Sequence, residues 1–437
     1  MTASSVTAGQ ARAPRIAFWR ACATTGLGLA AAVLTLAAAP PPDPLQLALQ
    51  GHMADPAQMA PRYLVKPPTG QGRNLRAPAG APAGAGLTVP YWSTTIKSPL
   101  DGVTYNVSMV GSSPYASPPV NTNVTYVPIV VRLHYPKNLA NGVAVVFDPT
   151  RTGNCDTSTP QGRFFNSPLF QPNTFISNGV NVTAGMTGGA QLESAFQRAN
   201  FWSAVHGTKY GVTLVKSQPA AIVVDYTVTH TDDSVVGVSS PCVSGKINPL
   251  GLMDIDEYDA LVQGLAAKYA TPTQVPVVMA YDVVLVQFPG GLGNCCIIGY
   301  HNAIPVTGGT QLYAVGTYVD PGIFNGISDI GAWSHELGEL IDDPFVQSIA
   351  GVPGGFTNDL TPSWGHLGQV SGCQNNLEDG DPLTGTQYAV TGVGQFVYHY
   401  QDLAFVDWFY RTPSRSTGGA GSFKDNLAGG GQPTLCS

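Results

Sequence analysis

The chain has 437 residues, of which 43% are hydrophobic and only 11% are charged, and it contains 51 glycines and 36 prolines. This length allows one large domain or two smaller ones, and the composition favours strands, turns and ordered loops over long surface helices. The formal net charge is −7, and there is no run of lysine and arginine. These features argue against a nucleic-acid partner.

The first 39 residues have the pattern of a secretory signal peptide. Arg12, Arg15 and Arg20 precede an apolar run at residues 27 to 39, which ends in three alanines. A charged start, an apolar stretch of this length and small residues at its end are typical of such signals. We therefore expect a protein that is secreted or lies in the periplasm or at the cell surface. An uncleaved signal anchor is the alternative, and no other membrane segment is expected.

Residues 40 to 89 are predicted to be a spacer or a pro-segment, because they lack sustained apolar periodicity. Their clearest part is a Pro/Gly/Ala tract at residues 76 to 86, a composition that is typical of flexible linkers. Ordered structure is expected for residues 90 to 437. This region is either one globular unit or a β-rich part, residues 90 to 250, followed by a second part, residues 251 to 437.

Short β-branched segments bounded by turn residues predict strands. These segments are residues 126–134, 142–148, 211–215, 221–229, 275–288 and 311–319. Apolar residues at helical spacing predict helices at residues 190–205 and 253–269, and a third helix begins at residue 331. We therefore expect an α+β fold, with a twisted, mainly antiparallel sheet and about three helices.

The cysteine content fits an exported protein. Cys22 lies in the predicted signal peptide, and an even number of cysteines remains, which predicts up to three disulfide bonds. The six candidates are Cys155, Cys242, Cys295, Cys296, Cys373 and Cys436. Cys295 and Cys296 are adjacent, and we expect them to pair with two different partners, since a bridge between neighbours is strained. The alternative is a set of free buried thiols.

The predicted helix that starts at Gly331 and ends before Pro344 carries the clearest chemical pattern. Positions i, i+4 and i+7 of a helix share a face, so His335, Glu339 and Asp342 form one polar stripe. The pattern is similar to the HExxH motif of zinc proteases, in which two histidines bind metal and the intervening glutamate activates water. In this chain Glu339 takes the place of the second histidine.

This pattern predicts one divalent metal ion that is held by His335 and Glu339, with Glu336 as the catalytic base. Candidates for the remaining ligands carry carboxylate or imidazole groups: Asp342, Glu378, Asp381, His301 and His366. Zinc is the first candidate for the ion, although an added carboxylate shifts the preference towards manganese or calcium. The alternative is a purely structural helix, in which His335 is a buried histidine bonded to a backbone carbonyl and Glu339 and Asp342 face solvent or cap a neighbouring loop.

An acidic loop at residues 375 to 381 is dense in oxygen donors. It could hold calcium by itself, although it lacks the spacing of an EF-hand. The alternative is a turn in which Asn and Asp side chains bond their own backbone.

Three segments in this order resemble a known family: residues 296–301, 334–344 and 377–382. They are similar to the plant phosphate-induced, EXORDIUM-like secreted proteins, in which a Cys-Gly-x-His segment precedes a His-Glu-Leu-x-Glu helix and an acidic Gly-Asp loop. The Phe-Gln-Arg-Ala-Asn-Phe-Trp segment at residues 196–202 resembles a helix of exported bacterial proteins.

The resemblance implies an exported, cell-wall-associated protein without an established reaction. Functional positions carried over by the matching motifs are His301, His335, Glu336, Glu339, Glu378 and Asp381. The HExxE half-motif also resembles that of zincin metallopeptidases, which implies a zincin-like C-terminal part.

We interpret the sequence as that of an exported metal-dependent hydrolase, similar to a peptidase, that acts on peptide or on cell-wall polymer. The alternative is a non-catalytic cell-wall or surface binding protein in which the same residues hold a structural ion. A third possibility is a disulfide-stabilised adhesion module without metal.

Overall fold

The structure is a computed structural model of the chain. It describes residues 43–55, 59–63, 87–116, 118–134, 144–217, 224–228, 235–287, 295–345, 361–362, 364–365, 375–412, 415–427 and 434–435. Several predicted features lie outside these ranges: the signal peptide, the Pro/Gly/Ala tract at residues 76–86, the candidate ligand His366 and the candidate disulfide cysteines Cys373 and Cys436.

The described residues include seven α-helices. They are α1 Pro44–Gln50, α2 Pro160–Asn166, α3 Leu192–Asn200, α4 Trp202–Val205, α5 Ile255–Tyr269, α6 Gly331–Asp342 and α7 Val406–Tyr410. The predicted number of about three is too low, because helices of four to seven residues leave little periodicity in a sequence. The three longest, α3, α5 and α6, lie where helices were predicted. None of the described helices combines the length and the hydropathy that crossing a bilayer requires.

Local side chains explain where two of these helices begin. The Asp254 carboxylate accepts hydrogen bonds from the main-chain N–H groups of Asp256 and Glu257 at the start of α5. At the start of α2, Thr159 caps the helix and Pro160 occupies the first turn, where a missing N–H costs nothing.

Strands make up most of the remaining regular structure. They are β1 Arg62–Tyr63, β2 Tyr91–Lys97, β3 Thr104–Val110, β4 Val120–His134, β5 Ala144–Phe147, β6 Ile176–Ser177, β7 Val180–Asn181, β8 Val212–Ser217, β9 Val224–Val228, β10 Val235–Ser239, β11 Ile247–Asp254, β12 Val275–Tyr281, β13 Val283–Val286, β14 Ile297–Val306, β15 Gly309–Phe324, β16 Ile327–Asp329, β17 Trp364–Gly365, β18 Gln387–Thr391, β19 Val397–Gln401 and β20 Thr434–Leu435.

Twelve strands form one sheet in the order β10-β11-β13-β14-β15-β12-β4-β5, with β1 beside β14, β16 beside β15, and β8 and β9 beside β4. Parallel pairing joins β1 to β14, β11 to β13, β12 to β15, and β4 to β8, β9 and β12. The fold is α+β as predicted, but the sheet is mixed, so the expectation of mainly antiparallel pairing is wrong. Parallel neighbours need long crossovers, and apolar periodicity locates strands without revealing their order.

Helix α6 lies in the interior of the protein. It packs against β14, β15 and β19, and all twelve of its residues are buried. Trp333, Leu337 and Leu340 belong to the largest apolar core. The polar stripe of α6 is equally enclosed, so the alternative in which Glu339 and Asp342 face solvent is wrong.

Part of the predicted spacer is built into the fold. Leu49 of α1 is fully buried, and α1 packs against β10 and β11. Further along, β1 pairs in parallel with β14, with Arg62 opposite Ile297. The described residues belong to one compact unit that begins at Asp43. Residues 43–55 and 59–63 therefore contribute to the core rather than to a free linker.

Two disulfide bonds lie within the described residues. Cys155 and Cys242 are joined with an S–S distance of 2.07 Å and are 87 positions apart in the chain. This bridge constrains a long loop in the unfolded chain, which stabilises the folded state. Cys295 and Cys296 pair with each other, so the expectation that they would take two different partners is wrong.

Candidate metal centre

Three elements bring polar side chains together beneath the surface. Helix α6 and strand β14 supply four of them, and the acidic loop before β18 supplies two. The six members of this buried cluster are His301, His335, Glu336, Glu339, Glu378 and Asp381. None is more than 3% exposed. They are also the six positions that the motif resemblance carried over, although they come from three separate segments.

The first group of potential ligands contains His335, Glu339 and Asp381. His335 Nε2 lies 2.9 Å from Glu339 Oε1 and 3.5 Å from Asp381 Oδ1. The main-chain N–H groups of Gly380 and Asp381 donate to the same Glu339 oxygen at 3.0 and 3.2 Å. Glu339 is therefore held in place from the loop side as well as from its own helix.

The second group contains His301, Glu339 and Glu378. His301 Nδ1 lies 3.8 Å from Glu339 Oε2, and His301 Nε2 lies 3.9 Å from Glu378 Oε1. His301 Nε2 is also 2.7 Å from the carbonyl oxygen of Asp343, which can only accept a hydrogen bond. The proton of a neutral His301 is therefore on Nε2, which leaves the Nδ1 lone pair facing Glu339 and Glu336.

Two glycines make room for this arrangement. A Cβ atom on Gly299 would come within 2.5–2.9 Å of the Glu336 side chain, and one on Gly380 within 2.4–2.7 Å of the His335 ring. Such distances are far inside van der Waals contact. Glycine is thus required sterically at Gly299 and Gly380, since any larger residue would displace a member of the buried cluster.

Several polar atoms of the buried cluster lack a hydrogen bond among the described residues. Glu336 Oε1 and Glu378 Oε1 accept none, and His335 Nε2 lies near Glu339 but outside hydrogen-bonding geometry. Buried polar atoms without partners are rare in folded proteins. Each residue of a group offers one nitrogen or oxygen atom as a ligand, and the three ligand atoms of a group lie within 4.8 Å of one another. This donor set fits a divalent cation.

The members of the buried cluster shift one another's pKa values. Burial raises the pKa of Glu336 to about 7. Burial, together with the charge of Glu339, raises the pKa of Glu378 well above its usual value. For Glu339, burial is outweighed by the charge of His335, which lowers the pKa of this carboxyl. Burial lowers the pKa of His335, but the charge of Glu339 and the contacts with Asp381 and Glu339 raise it to about 10. In the metal-free cluster the protonated His335 ring is thus the cation that keeps the Glu339 carboxylate ionised.

Asp342 was a predicted ligand, but the structure does not bring it into either group. Its carboxylate accepts hydrogen bonds from Gln197 and Asn200 of α3, the latter at 3.2 Å. Asp342 therefore joins α6 to the Phe-Gln-Arg-Ala-Asn-Phe-Trp helix. The periodicity of α6 could not reveal this contact, because it depends on a helix more than 130 residues earlier in the chain.

The acidic loop at residues 375 to 381 lies beside the histidines of the buried cluster. Its Glu378 and Asp381 side chains are directed towards the histidines of the buried cluster. The main-chain N–H of Leu377 donates to Asp343 at 2.9 Å. The loop therefore contributes to the same centre as α6.

Two residues near His335 were missed by the sequence analysis. The ring of Tyr63 stacks on the His335 ring with centroids 3.3 Å apart and planes 9° from parallel. Gln401 Nε2 lies 2.7 Å from His335 Nδ1 and donates to the Gly380 carbonyl. An ion on Nε2 would require the His335 proton on Nδ1, and the Gln401 amide would then have to present its oxygen there and give up its hydrogen bond to the Gly380 carbonyl. Nothing in the local pattern around Tyr63 signals this role.

Replacing Tyr63 with alanine is expected to lower the free energy of unfolding by about 3 kcal/mol, because it removes a buried aromatic ring from the face of His335. Tyr63→Phe retains the ring and is expected to lose less than about 1 kcal/mol, since the buried hydroxyl has no hydrogen-bond partner. Thermal denaturation of both variants measures the difference. Equal losses would show that the hydroxyl, and not the stacked ring, stabilises the protein.

No family model, curated protein or solved structure matches the chain.

Proposed function

We propose that this chain is an exported metal-binding protein whose buried cluster is the centre of a metal-dependent hydrolase, similar to a peptidase. The observation that supports this proposal is the convergence of His301, His335 and Glu339 with two loop carboxylates, all at most 3% exposed. Residues of this kind are found together inside proteins mainly where a cation offsets their charge. Export remains a proposal from the signal-like sequence of residues 1 to 39.

His335 and Glu339 would hold the ion, with Asp381 or Glu378 completing the set. A divalent ion in such a site supplies Lewis-acid chemistry and lowers the pKa of a water molecule beside it. Glu336 is next to His335 on α6 but belongs to neither ligand group. Its Oε1 atom has no hydrogen-bond partner, so it is available to accept a proton from the attacking water. The substrate would be a peptide or a cell-wall polymer.

A second function is favoured by the depth of the site. His335 is completely buried and is covered by Tyr63, which is only 2% exposed. A buried ion of this kind fits a non-catalytic cell-wall or surface binding protein, in which the metal stabilises the fold. In this alternative a protonated Glu336 would serve only to donate a hydrogen bond from Oε2 to His301 Nδ1, 3.4 Å away.

Elemental analysis of the purified full chain tests the proposal. We expect at least one tightly bound divalent ion per chain, and a smaller content in His335→Ala. Glu193→Gln is the matched control, because Glu193 is a buried glutamate of α3 outside both ligand groups. Zinc favours the hydrolase, whereas calcium or manganese favours the structural ion. A metal-free protein would contradict both functions.

A further inference from the structure

We propose that the buried cluster holds two divalent ions, with Glu339 as the carboxylate that bridges them. This inference rests on the proposed metal-binding function and extends it from one ion to a pair. The two ligand groups defined above share a single member, Glu339. Each group has in addition its own histidine and its own carboxylate from the acidic loop.

The two oxygen atoms of Glu339 face different histidines. Oε1 lies 2.9 Å from His335 Nε2, whereas Oε2 lies 3.8 Å from His301 Nδ1. A carboxylate that presents one oxygen to each of two sites is the usual bridge between paired ions, which lie about 3.5–4 Å apart in two-metal centres. A single ion at His335 would leave the Oε2 side of Glu339, with His301 and Glu378, unused.

The buried atoms that lack a hydrogen bond are also distributed over both groups. His335 Nε2 belongs to the first group and Glu378 Oε1 to the second, and both are buried without a hydrogen bond among the described residues. The acidic loop does provide hydrogen-bond donors, because two of its main-chain N–H groups donate to Glu339. It provides none for Glu378 Oε1. Each group therefore contains a buried polar atom that a bound ion would satisfy.

Charge balance gives a further argument for two ions. Glu336, Glu339 and Glu378 have only histidines as ion-pair partners among the described residues. Asp381 and the neighbouring buried Asp343 and Asp379 add further carboxyl groups. When they are all ionised, these groups carry more negative charge than one divalent ion offsets, which is costly in a buried region. A second divalent ion reduces that excess.

The test is the metal content of the full chain after dialysis against manganese(II) chloride, together with its electron paramagnetic resonance spectrum. We expect two ions per chain and a spectrum that shows magnetic coupling between them. Glu378→Gln and Asp381→Asn should each retain one ion and lose the coupling. Glu193→Gln, the matched control outside both groups, should retain two coupled ions.

The outcomes separate this inference from the function on which it rests. One ion per wild-type chain, or two uncoupled ions, would overturn the bridged pair and leave the metal-binding proposal intact. An absence of bound ion would overturn both. Because the wild-type stoichiometry and coupling are decisive by themselves, the test does not depend on every variant folding.

Discussion

Removal of divalent ions with a chelator is expected to lower the melting temperature of the protein by about 5–10 °C. An ion that binds only the folded chain stabilises it by about 4 kcal/mol when its concentration is 1,000 times the dissociation constant. Without the ion, Glu339 and Glu378 face each other while nearly inaccessible to solvent. Differential scanning calorimetry with and without chelator measures the change, and re-addition of zinc, manganese or calcium identifies the ion that restores stability.

Two variants make this result specific to the buried cluster. Glu339→Gln is expected to melt at the same temperature with and without chelator, because the shared ligand is lost. Glu193→Gln keeps both ligand groups and should respond to chelator as the wild type does. A wild-type melting temperature that chelator does not change would argue for the adhesion module without metal.

Replacing Glu336 with glutamine is expected to leave the metal content unchanged and to lower kcat for hydrolysis by about 10²–10⁴-fold. Glutamine has the shape of glutamate, so the packing against Gly299 is retained, but it cannot take a proton from water. The measurement is kcat on the peptide or cell-wall fragment that the wild-type protein hydrolyses, together with metal analysis of both proteins.

Asp342→Asn is the matched control for this experiment. Asp342 lies on the same helix and is equally buried, but its hydrogen bonds go to Gln197 and Asn200 rather than to the buried cluster. We expect it to retain kcat. Full activity of the Glu336→Gln protein would show that Glu336 is not the catalytic base. A metal-loaded wild type that hydrolyses none of these substrates would instead support the structural-ion alternative.

Local sequence patterns predicted the long helices well. The apolar spacing at residues 253–269 corresponds to α5, and the helix that carries His335 ends before Pro344 as expected. These features depend on the 3.6-residue repeat and on proline geometry, which act over a few neighbouring residues. The predicted helix at residues 190–205 is divided at Phe201 into α3 and α4, a detail that periodicity did not reveal.

The membership of the buried cluster was only partly predictable. The periodicity of α6 placed Glu339 and Asp342 on one stripe, yet only Glu339 meets the histidines. The two residues are three positions apart, which corresponds to about 4.5 Å along the helix axis. Since α6 is enclosed on all sides, a shift of this size brings its side chains to different neighbours. Glu339 meets the two histidines, whereas Asp342 meets α3 and the Asp379 side chain.

The sequence by itself determined the long helices, several strands and the common orientation of His335 and Glu339, because these follow from interactions within one or two turns of the chain. Only the tertiary structure decided the mixed order of the sheet, the pairing of Cys295 with Cys296, the stacking of Tyr63 on His335 and the position of Glu339 between two histidines. Apart from the cysteine pair, these features join residues distant in sequence. Such contacts depend on how the whole core packs, and no local repeat of polar and apolar residues specifies them.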